Sequence, residues 1–259
     1  MFKGAIEKAV VDVLDTGSKL QAPAVRRYVE YLREKHPGES PAQIVTRLEK
    51  QYLLAVTGSG AAVGATAAVP GIGTVAALGA VSAETVFFME ASALFTLAEA
   101  YVHGIEPEDK EARRAMVLAV VLGDAGMAIV QKGIGTQAKN WTGALAGKVP
   151  GIAGINSKLL QQFIKRFITK RAMLMFGKVL PAGIGAAVGA AGNRTLGHTT
   201  IDNARKAFGP APAHWPTFLD APGKHSLEAK SPTVLPSAPK QLGAAPTEVP
   251  PSKPQVHKK

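Results

Sequence analysis

The sequence predicts an all-α protein: a multi-helix bundle with apolar helical hairpins rich in glycine and alanine, followed by a disordered C-terminal tail. Three observations lead to this class. Apolar residues recur at helical spacing, and no β-branched strands alternate with the helices. The chain of 259 residues is 46% hydrophobic but only 6% aromatic, with 27 glycines, which favours closely packed helices. Proline is concentrated beyond residue 208, where apolar periodicity ends. We therefore expect one α-helical domain over residues 1–208 and a Pro-rich disordered tail over residues 209–259.

Three amphipathic helices are predicted in the first 57 residues. The first has its apolar stripe over residues 6–14, and the second begins at Pro23 and stops near residues 36–38. The third begins with SPAQ at residues 40–43, where serine and glutamine form a capping box and proline takes the first helical position. These helices form the N-terminal part of the predicted bundle.

Residues 51–83 carry no charge and predict a tight helical hairpin. A single membrane-spanning helix needs about 20 apolar residues, but Pro70-Gly71 divides the run into shorter pieces. Gly60, Gly64 and Ala68 recur every four residues, a spacing that lets another helix approach closely. We therefore place a turn at Pro70-Gly71 and expect a close helix contact along the small residues.

The second arm of the hairpin is predicted over residues 74–102, with His103-Gly104 as its stop. The next helix is predicted to begin at residues 106–109, because three acids there oppose the positive end of the helix dipole. Its apolar stretch, residues 115–130, contains Asp124 as its single charge. These segments continue the all-helical pattern.

A basic amphipathic helix follows, after a glycine-interrupted stretch with a short helix around Trp141. Asn156 or Ser157 is the expected cap of the basic helix. The last predicted helix carries Gly185 and Gly189, a second pair of small residues four apart. The basic residues that we expect at a membrane surface are Lys158, Lys165, Arg166, Lys170, Arg171 and Lys178.

Charge is divided unevenly along the chain. Residues 1–124 contain 12 Lys and Arg against 15 Asp and Glu, whereas residues 125–208 contain 12 against Asp202 alone. A basic half of this kind indicates a polyanionic partner, and we expect an anionic membrane surface. A simple solvated face stays open as the alternative. Nucleic acid is not the expected partner, because no nucleic-acid-binding signature accompanies the charge; a protein partner stays open.

The sequence identifies no catalytic residue, cofactor or metal site. Residues 71–76 match the dinucleotide fingerprint G-x-G-x-x-A, but no strand precedes them, so no nucleotide cofactor is expected. The six histidines show no metal-ligand spacing, and the absence of cysteine excludes thiolate chemistry. We therefore expect a protein that is not an enzyme.

Three acids, Glu84, Glu90 and Asp124, stand out because each lies among apolar residues. A buried carboxylate is costly unless it is paired, so each needs a polar or basic partner. Asn193 and Arg194, on the last small-residue helix, are the expected partners. The predicted cluster is a structural pin that fixes helix register, with a proton or ion site as the alternative.

Part of the chain resembles a known family. The stretch GSGAAVGATAAVPGIGTVAALGAVSAETVFFMEASALFTLAEAYVHG, followed by VLAVVLGDAG, FITKRAMLMFGKVLPAGIGAAVGAAGN and ARKAFGP, is similar to actinobacterial-type members of the EcsC protein family. The resemblance covers roughly residues 50–210. It implies a helical bacterial protein that can associate with a membrane, and it transfers no catalytic residue.

Together these features predict a non-enzymatic, membrane-associated helical protein of unknown process. We expect it to be peripheral, or partly inserted through its Gly/Ala-rich hairpins and basic helix. The chain starts with MFKGAIEKAVVDVLD, in which acids interrupt any secretory signal, so we expect a cytoplasmic protein at the inner face of the cell membrane. The alternative is a soluble bundle with an apolar ligand pocket and acid–base activity at Glu84 or Glu90.

Overall fold

The regular structure is entirely α-helical in the described part of the chain, which confirms the predicted class. A computed structural model describes residues 23–66, 74–107, 109–135, 141–147, 149–176 and 184–216; the side chains of residues 66–82, 164 and 166–184 lie outside this description. The helices are α1 (23–35), α2 (Pro41–Thr66), α3 (Thr74–Val102), α4 (Lys110–Leu122), α5 (Asp124–Ile134), α6 (Trp141–Ala144), α7 (Ile152–Phe176) and α8 (Ile184–Phe208). The predicted helix over residues 6–14 lies outside the described residues, as do residues 217–259 of the predicted tail.

The predicted start of α2 is confirmed in its hydrogen bonds. The backbone N–H of Ser40 donates to Oε1 of Gln43 at 2.7 Å, and the backbone N–H of Gln43 donates to Oγ of Ser40 at 3.4 Å. This reciprocal pairing satisfies donors that a helix N-terminus otherwise leaves open. The end of α3 is also as predicted, with Gly104 just beyond it in a left-handed conformation at φ 77°.

Helix α2 packs antiparallel to both α3 and α8. Toward α3, the ring of Tyr52 stacks on Phe95 with 4.7 Å between centroids, and its hydroxyl lies 2.9 Å from Oγ of Ser92. All three side chains are buried. Because the tyrosine hydroxyl has a partner inside the core, its burial does not leave an unsatisfied polar group.

Toward α8, α2 packs through a glycine seam formed by Gly60 and Gly64 of α2 and Gly185 and Gly189 of α8. A Cβ added to Gly64 would overlap the carbonyl of Gly185, and one added to Gly60 would overlap the carbonyl of Gly189. This confirms the expected close helix contact at Gly60 and Gly64, whereas Ala68 and the turn predicted at Pro70-Gly71 lie outside the described residues. The sequence did not indicate that the two glycine pairs face each other.

Helices α4, α5 and α7 pack against one another, and α4 also contacts α3 and α8. Their bounds differ from the sequence prediction in three ways. The helix after α3 begins at Lys110 rather than at residues 106–109, because Asp109 caps it by accepting from the N–H of Ala112 at 2.7 Å. Gly123, at φ 67°, divides the predicted long helix into α4 and α5. Asn156 is not a cap: it lies inside α7 and donates to the carbonyl of Glu111 at 3.0 Å.

The bundle has two ends of different character. Because α2 and α8 are antiparallel, the C-terminal end of α2 and the N-terminal end of α8 lie together, as the contact between Gly64 and Gly185 shows. The N-terminal end of α3 lies beside the end of α2. Helix α7 continues past Phe163 for about 20 Å in the same direction, and seven residues, 177–183, connect it to α8. We call this the hairpin end.

The other end, which we call the charged end, contains the start of α2 and the last turns of α3 and α8. Residues 209–216 run back over it, and the guanidinium of Arg33 on α1 lies 4.3 Å from the centroid of the Trp215 ring. Ala211 also packs against the hydrophobic core. The chain therefore stays on the helical body for eight residues beyond the end of α8.

One segment among the described residues, Ala83–Val102 of α3, is long and apolar enough to cross a membrane. In the bundle, 78% of it is buried among the other helices. The inner helix of a water-soluble bundle has the same composition, so this segment is explained as the core of the fold and is only weak support for a membrane span.

Candidate functional site

The structure separates the predicted polar cluster into buried and exposed members. Glu84 is 2% exposed and Asn193 is also 2% exposed, so two members are buried as expected. Nδ2 of Asn193 donates to the carbonyl of Val56 at 2.9 Å and to Oγ of Ser59 at 3.2 Å. Asn193 therefore ties α8 to α2 beside the glycine seam, as a polar pin does.

The prediction is wrong for Asp124 and Arg194, which both lie at the surface. The side chain of Asp124 is 80% exposed, because the break at Gly123 turns the start of α5 outward. Its nearest basic partner is Lys206 of α8, with Nζ 3.4 Å from Oδ1. Glu90 is half-buried. The five residues do not form one buried site.

The acidic and basic halves of the chain do meet, but at the charged end and through other residues. Arg205 of α8 donates from Nε and Nη2 to the two carboxylate oxygens of Glu49 on α2, both at 2.7 Å. This paired, two-point geometry is the strongest arrangement for arginine and a carboxylate. The pair spans 156 positions in the sequence. It joins α2 to α8 at the end opposite the glycine seam.

Next to this pair, Glu99 lies on the last turn of α3 and His103 follows directly after the end of the helix. Glu99 is only 1% exposed. Its Oε2 atom and Nε2 of His103 are buried without a hydrogen-bond partner among the described residues. The His103 ring stacks on Phe208 of α8 with 5.5 Å between centroids. The end of α3 therefore places two polar groups against α8.

A cavity of about 380 Å³ opens at this place, which we call the Glu99 cavity. It lies between the first turns of α2, the last turns of α3 and the end of α8, and residues 209–211 form part of its wall. Its polar lining includes Glu49, Glu99, His103 and Arg205. A volume in this range accommodates a small organic molecule.

The environment changes the proton affinity of the groups in this cavity. Burial raises the pKa of Glu99, the negative charge of Glu49 adds to this rise, and Arg205 offsets part of it, so that the pKa is about 8. Burial also lowers the pKa of His103. At neutral pH, Glu99 is therefore mainly a neutral carboxylic acid beside a neutral imidazole.

A second cavity, of about 230 Å³, lies between α3, α7, α8 and the α4–α5 junction. Its apolar lining includes Phe88, Leu122, Phe163 and Leu196, and Asn203 is among its polar residues. This cavity has the character expected for the apolar pocket of the alternative prediction. Glu84 and Glu90 line neither of the two cavities, so neither is placed for acid–base chemistry there.

The predicted basic surface lies on α7 and is only partly described. Lys158 and Lys165 are exposed on this helix. Arg166, Lys170 and Arg171 belong to its described backbone, but their side chains lie outside the described residues, and Lys178 lies wholly outside them. The run from Lys165 to Arg171 approaches the hairpin end.

Sequence reasoning missed the Glu99 cavity, although one signal was present. Glu99 and His103 are four residues apart, so they share a face of α3, and they occur where an otherwise apolar helix ends. Nothing in the sequence near Glu49 or Arg205 indicates that they pair, because only the antiparallel packing of α2 and α8 brings them together.

Comparison with known proteins adds no assignment to this geometry. No protein-family model matches the chain, and neither a curated protein nor a solved structure matches it.

Proposed function

We propose that this chain is a non-enzymatic peripheral membrane protein that docks its hairpin end onto an anionic lipid surface, at the inner face of the cell membrane. One observation carries the proposal: four helix ends, from α2, α3, α7 and α8, point to the same end of the bundle. The uncharged end of α2 and the uncharged starts of α3 and α8 are thereby brought together with the basic end of α7. The resemblance to the EcsC family is consistent with this proposal and is itself a prediction.

The charge of the segments at the hairpin end supports lipid contact. Residues 51–83, which include the end of α2 and the start of α3, contain no charged residue. Residues 125–201, which include the end of α7 and the start of α8, contain no Asp or Glu. Basic residues beside apolar residues are the pattern of a surface that attracts anionic headgroups and buries apolar side chains just below them.

The charged end supports the same orientation by contrast. Part of its charge is matched in ion pairs, such as Arg26 with Glu106 at 2.8 Å and Arg205 with Glu49 at 2.7 Å. Paired charges give little net attraction to an anionic surface. The hairpin end is therefore the end that a negative membrane attracts.

Binding to vesicles tests the proposal directly. The protein should co-float with vesicles that contain phosphatidylglycerol and not with pure phosphatidylcholine vesicles. Changing Lys165, Arg166, Lys170 and Arg171 to Gln should weaken binding at least about 100-fold, since each basic residue near such a surface contributes roughly 1 kcal/mol. The matched control changes the exposed residues Arg27, Lys35, Lys50 and Lys132 to Gln.

The control removes the same charge from elsewhere, so it should keep affinity within about threefold if the hairpin end makes the contact. Equal losses for both variants would reject the specific surface. A protein that binds neither kind of vesicle would contradict the proposal and favour the soluble alternative with a ligand in the cavity beside Phe88 and Phe163.

Orientation is tested with single cysteines, because the chain has none of its own. Ala65 and Lys50 are both exposed on α2, at opposite ends of the helix, about 22 Å apart. An environment-sensitive fluorophore on Ala65→Cys should shift to the blue with anionic vesicles, and the same label on Lys50→Cys should not. A shift at position 50, or none at position 65, would show that the hairpin end is not the docking surface.

A further inference from the structure

The Glu99 cavity is a built site at the opposite end of the molecule from the proposed lipid contact. Three separate elements form its walls: the first turns of α2, the last turns of α3 and the end of α8 with residues 209–211. The bidentate pair of Glu49 and Arg205 fixes α2 against α8, and the stacking of His103 on Phe208 fixes α3 against α8. The walls are therefore held by specific contacts.

Inside these walls, one acid is buried and unpartnered. Glu99 is 1% exposed, it lines the cavity, and its Oε2 has no hydrogen-bond partner in the described part of the chain. A buried carboxyl group in this state is costly, and a ligand that supplies a partner recovers the cost. Nε2 of His103 is the second buried polar atom without a partner, and it lines the same cavity.

The surroundings favour a positive partner over a negative one. Both α3 and α8 end at the cavity, so the carbonyl groups of two helix C-termini face this region. Only α2 contributes a helix N-terminus to it. That N-terminus is already capped by Ser40 and Gln43. The guanidinium of Arg205 is engaged by Glu49, and Asp202 lies 3.8 Å from its Nη1. Glu99 thus has no ion pair of its own among the described residues.

We propose that the Glu99 cavity binds a small organic amine, with the Glu99 carboxylate as the counter-ion of its ammonium group. Nε2 of His103, as a neutral imidazole nitrogen, accepts a second hydrogen bond from the same ammonium. Glu49 contributes negative charge at longer range while it stays paired with Arg205. The volume of about 380 Å³ limits the ligand to a small molecule.

Binding of the amine is coupled to loss of one proton from the protein. Before binding, the buried Glu99 carboxyl holds its proton at neutral pH; the ammonium stabilises the ionised form, so the proton leaves to solvent as the ligand enters. The groups that face Glu99 are Glu49 of α2, His103 of α3 and Arg205 of α8, with Asp202 behind Arg205. Among these, Glu99 is the one that changes its charge.

Calorimetric titration with 1,4-diaminobutane tests the proposal, with succinate as the four-carbon dianion for comparison. The diamine should bind at least about tenfold more tightly at about pH 8.5 than at about pH 6.5, because Glu99 ionises between these values. Succinate should not bind. Titration near neutral pH in two buffers of different ionisation enthalpy should show close to one proton released for each diamine bound.

Glu99→Gln should abolish diamine binding and its pH dependence, because glutamine keeps the size of the side chain and removes the negative charge. Glu90→Gln is the matched control: it lies on the same helix, half-buried, and outside the cavity, so it should bind as the unmodified protein does. Binding of succinate in place of the diamine, with affinity that falls as pH rises, would overturn the proposal. So would the absence of diamine binding, or diamine binding without proton release.

Discussion

The two ends of the bundle are held together in different ways, although the same helices, α2, α3 and α8, build both. At the charged end, side chains hold the helices through the Glu49–Arg205 pair, the ring contacts of His103 and the packing of residues 209–216. At the hairpin end, the backbones of α2 and α8 approach each other closely at Gly60, Gly64, Gly185 and Gly189. The difference shows that one end depends on paired charges and the other on the absence of side chains.

The largest effect should come from adding one methyl group to the glycine seam. Gly64→Ala places a Cβ against the carbonyl of Gly185, which is backbone and cannot rotate away. We expect a loss of about 3 kcal/mol or more in the free energy of unfolding, because overpacking forces the two helices apart. Thermal or denaturant unfolding, followed by circular dichroism, measures it.

Gly58→Ala is the control on the same helix. A Cβ at Gly58 meets nothing within 4 Å, so this variant should gain about 0.5–1 kcal/mol from the better helix propensity of alanine. If Gly64→Ala and Gly58→Ala change the free energy of unfolding by the same amount, α2 and α8 are not in backbone contact at Gly64. The hairpin end would then not depend on the glycine seam.

The next effect concerns the pH dependence of stability at the charged end. Glu99 has a folded-state pKa of about 8 against an ordinary value of 4.5. Between these values the unfolded chain has lost the proton and the folded chain still holds it, so this group's contribution to stability falls as pH rises. The slope is at most about 1.4 kcal/mol per pH unit. Below pH 4.5 the group has no effect on stability.

Glu99→Gln removes this dependence and gives the measurement. The difference in unfolding free energy between the variant and the unmodified protein should move by about 3–4 kcal/mol in favour of the variant between about pH 5 and about pH 8.5. Denaturant unfolding at a series of pH values gives this difference. A difference that stays constant over that range would mean that Glu99 ionises normally and is not buried as described.

A smaller effect is expected from the pair that joins α2 to α8. Arg205→Met leaves the carboxylate of Glu49, only 9% exposed, without its partner, but the Arg205 side chain is 59% exposed and its attraction is partly screened by water. We expect a loss of about 1–2 kcal/mol. A double-mutant cycle with Glu49→Gln should give a coupling of about 1 kcal/mol. Strict additivity would show that the pair does not hold the two helices.

The smallest effect is expected at the exposed pair of Asp124 and Lys206, whose side chains are 80% and 59% exposed. Lys206→Gln should leave the unfolding midpoint unchanged within error, because exposed ion pairs contribute little. Arg205 is the neighbouring residue on α8, so comparison with Arg205→Met distinguishes an ion pair with a buried carboxylate from an ion pair that is exposed on both sides. A clear loss for Lys206→Gln would remove that distinction.

Several features followed from local chemistry and were predicted correctly. The capping box at Ser40 and the stop after α3 at Gly104 depend on residues only a few positions apart. The two glycine pairs were identified as helix contact surfaces because small residues four apart line one face of a helix. The start of α4 was misplaced by several residues, because Asp109 competes with Pro107 as the signal for a helix start.

The burial of the acids could not be predicted from the sequence. Glu84, Glu90 and Asp124 were grouped because each has apolar neighbours in sequence, but burial depends on which helix packs against each face. The break at Gly123 exposes Asp124, whereas the ends of α2 and α8 enclose Glu99, which sequence neighbours did not distinguish. The acidic and basic halves meet through Glu49 and Arg205 rather than through Arg194, the expected basic partner.

The all-helical class, several helix ends, the small-residue contact faces and the division of charge are predictable from the sequence, because each depends on residues that are close together along the chain. Three features appear only in the folded chain: the glycine pairs of α2 and α8 face each other, four helix ends share the hairpin end, and Glu99 borders a cavity. The physical reason is that these features require helices far apart in sequence to be brought together, and no local propensity encodes that pairing.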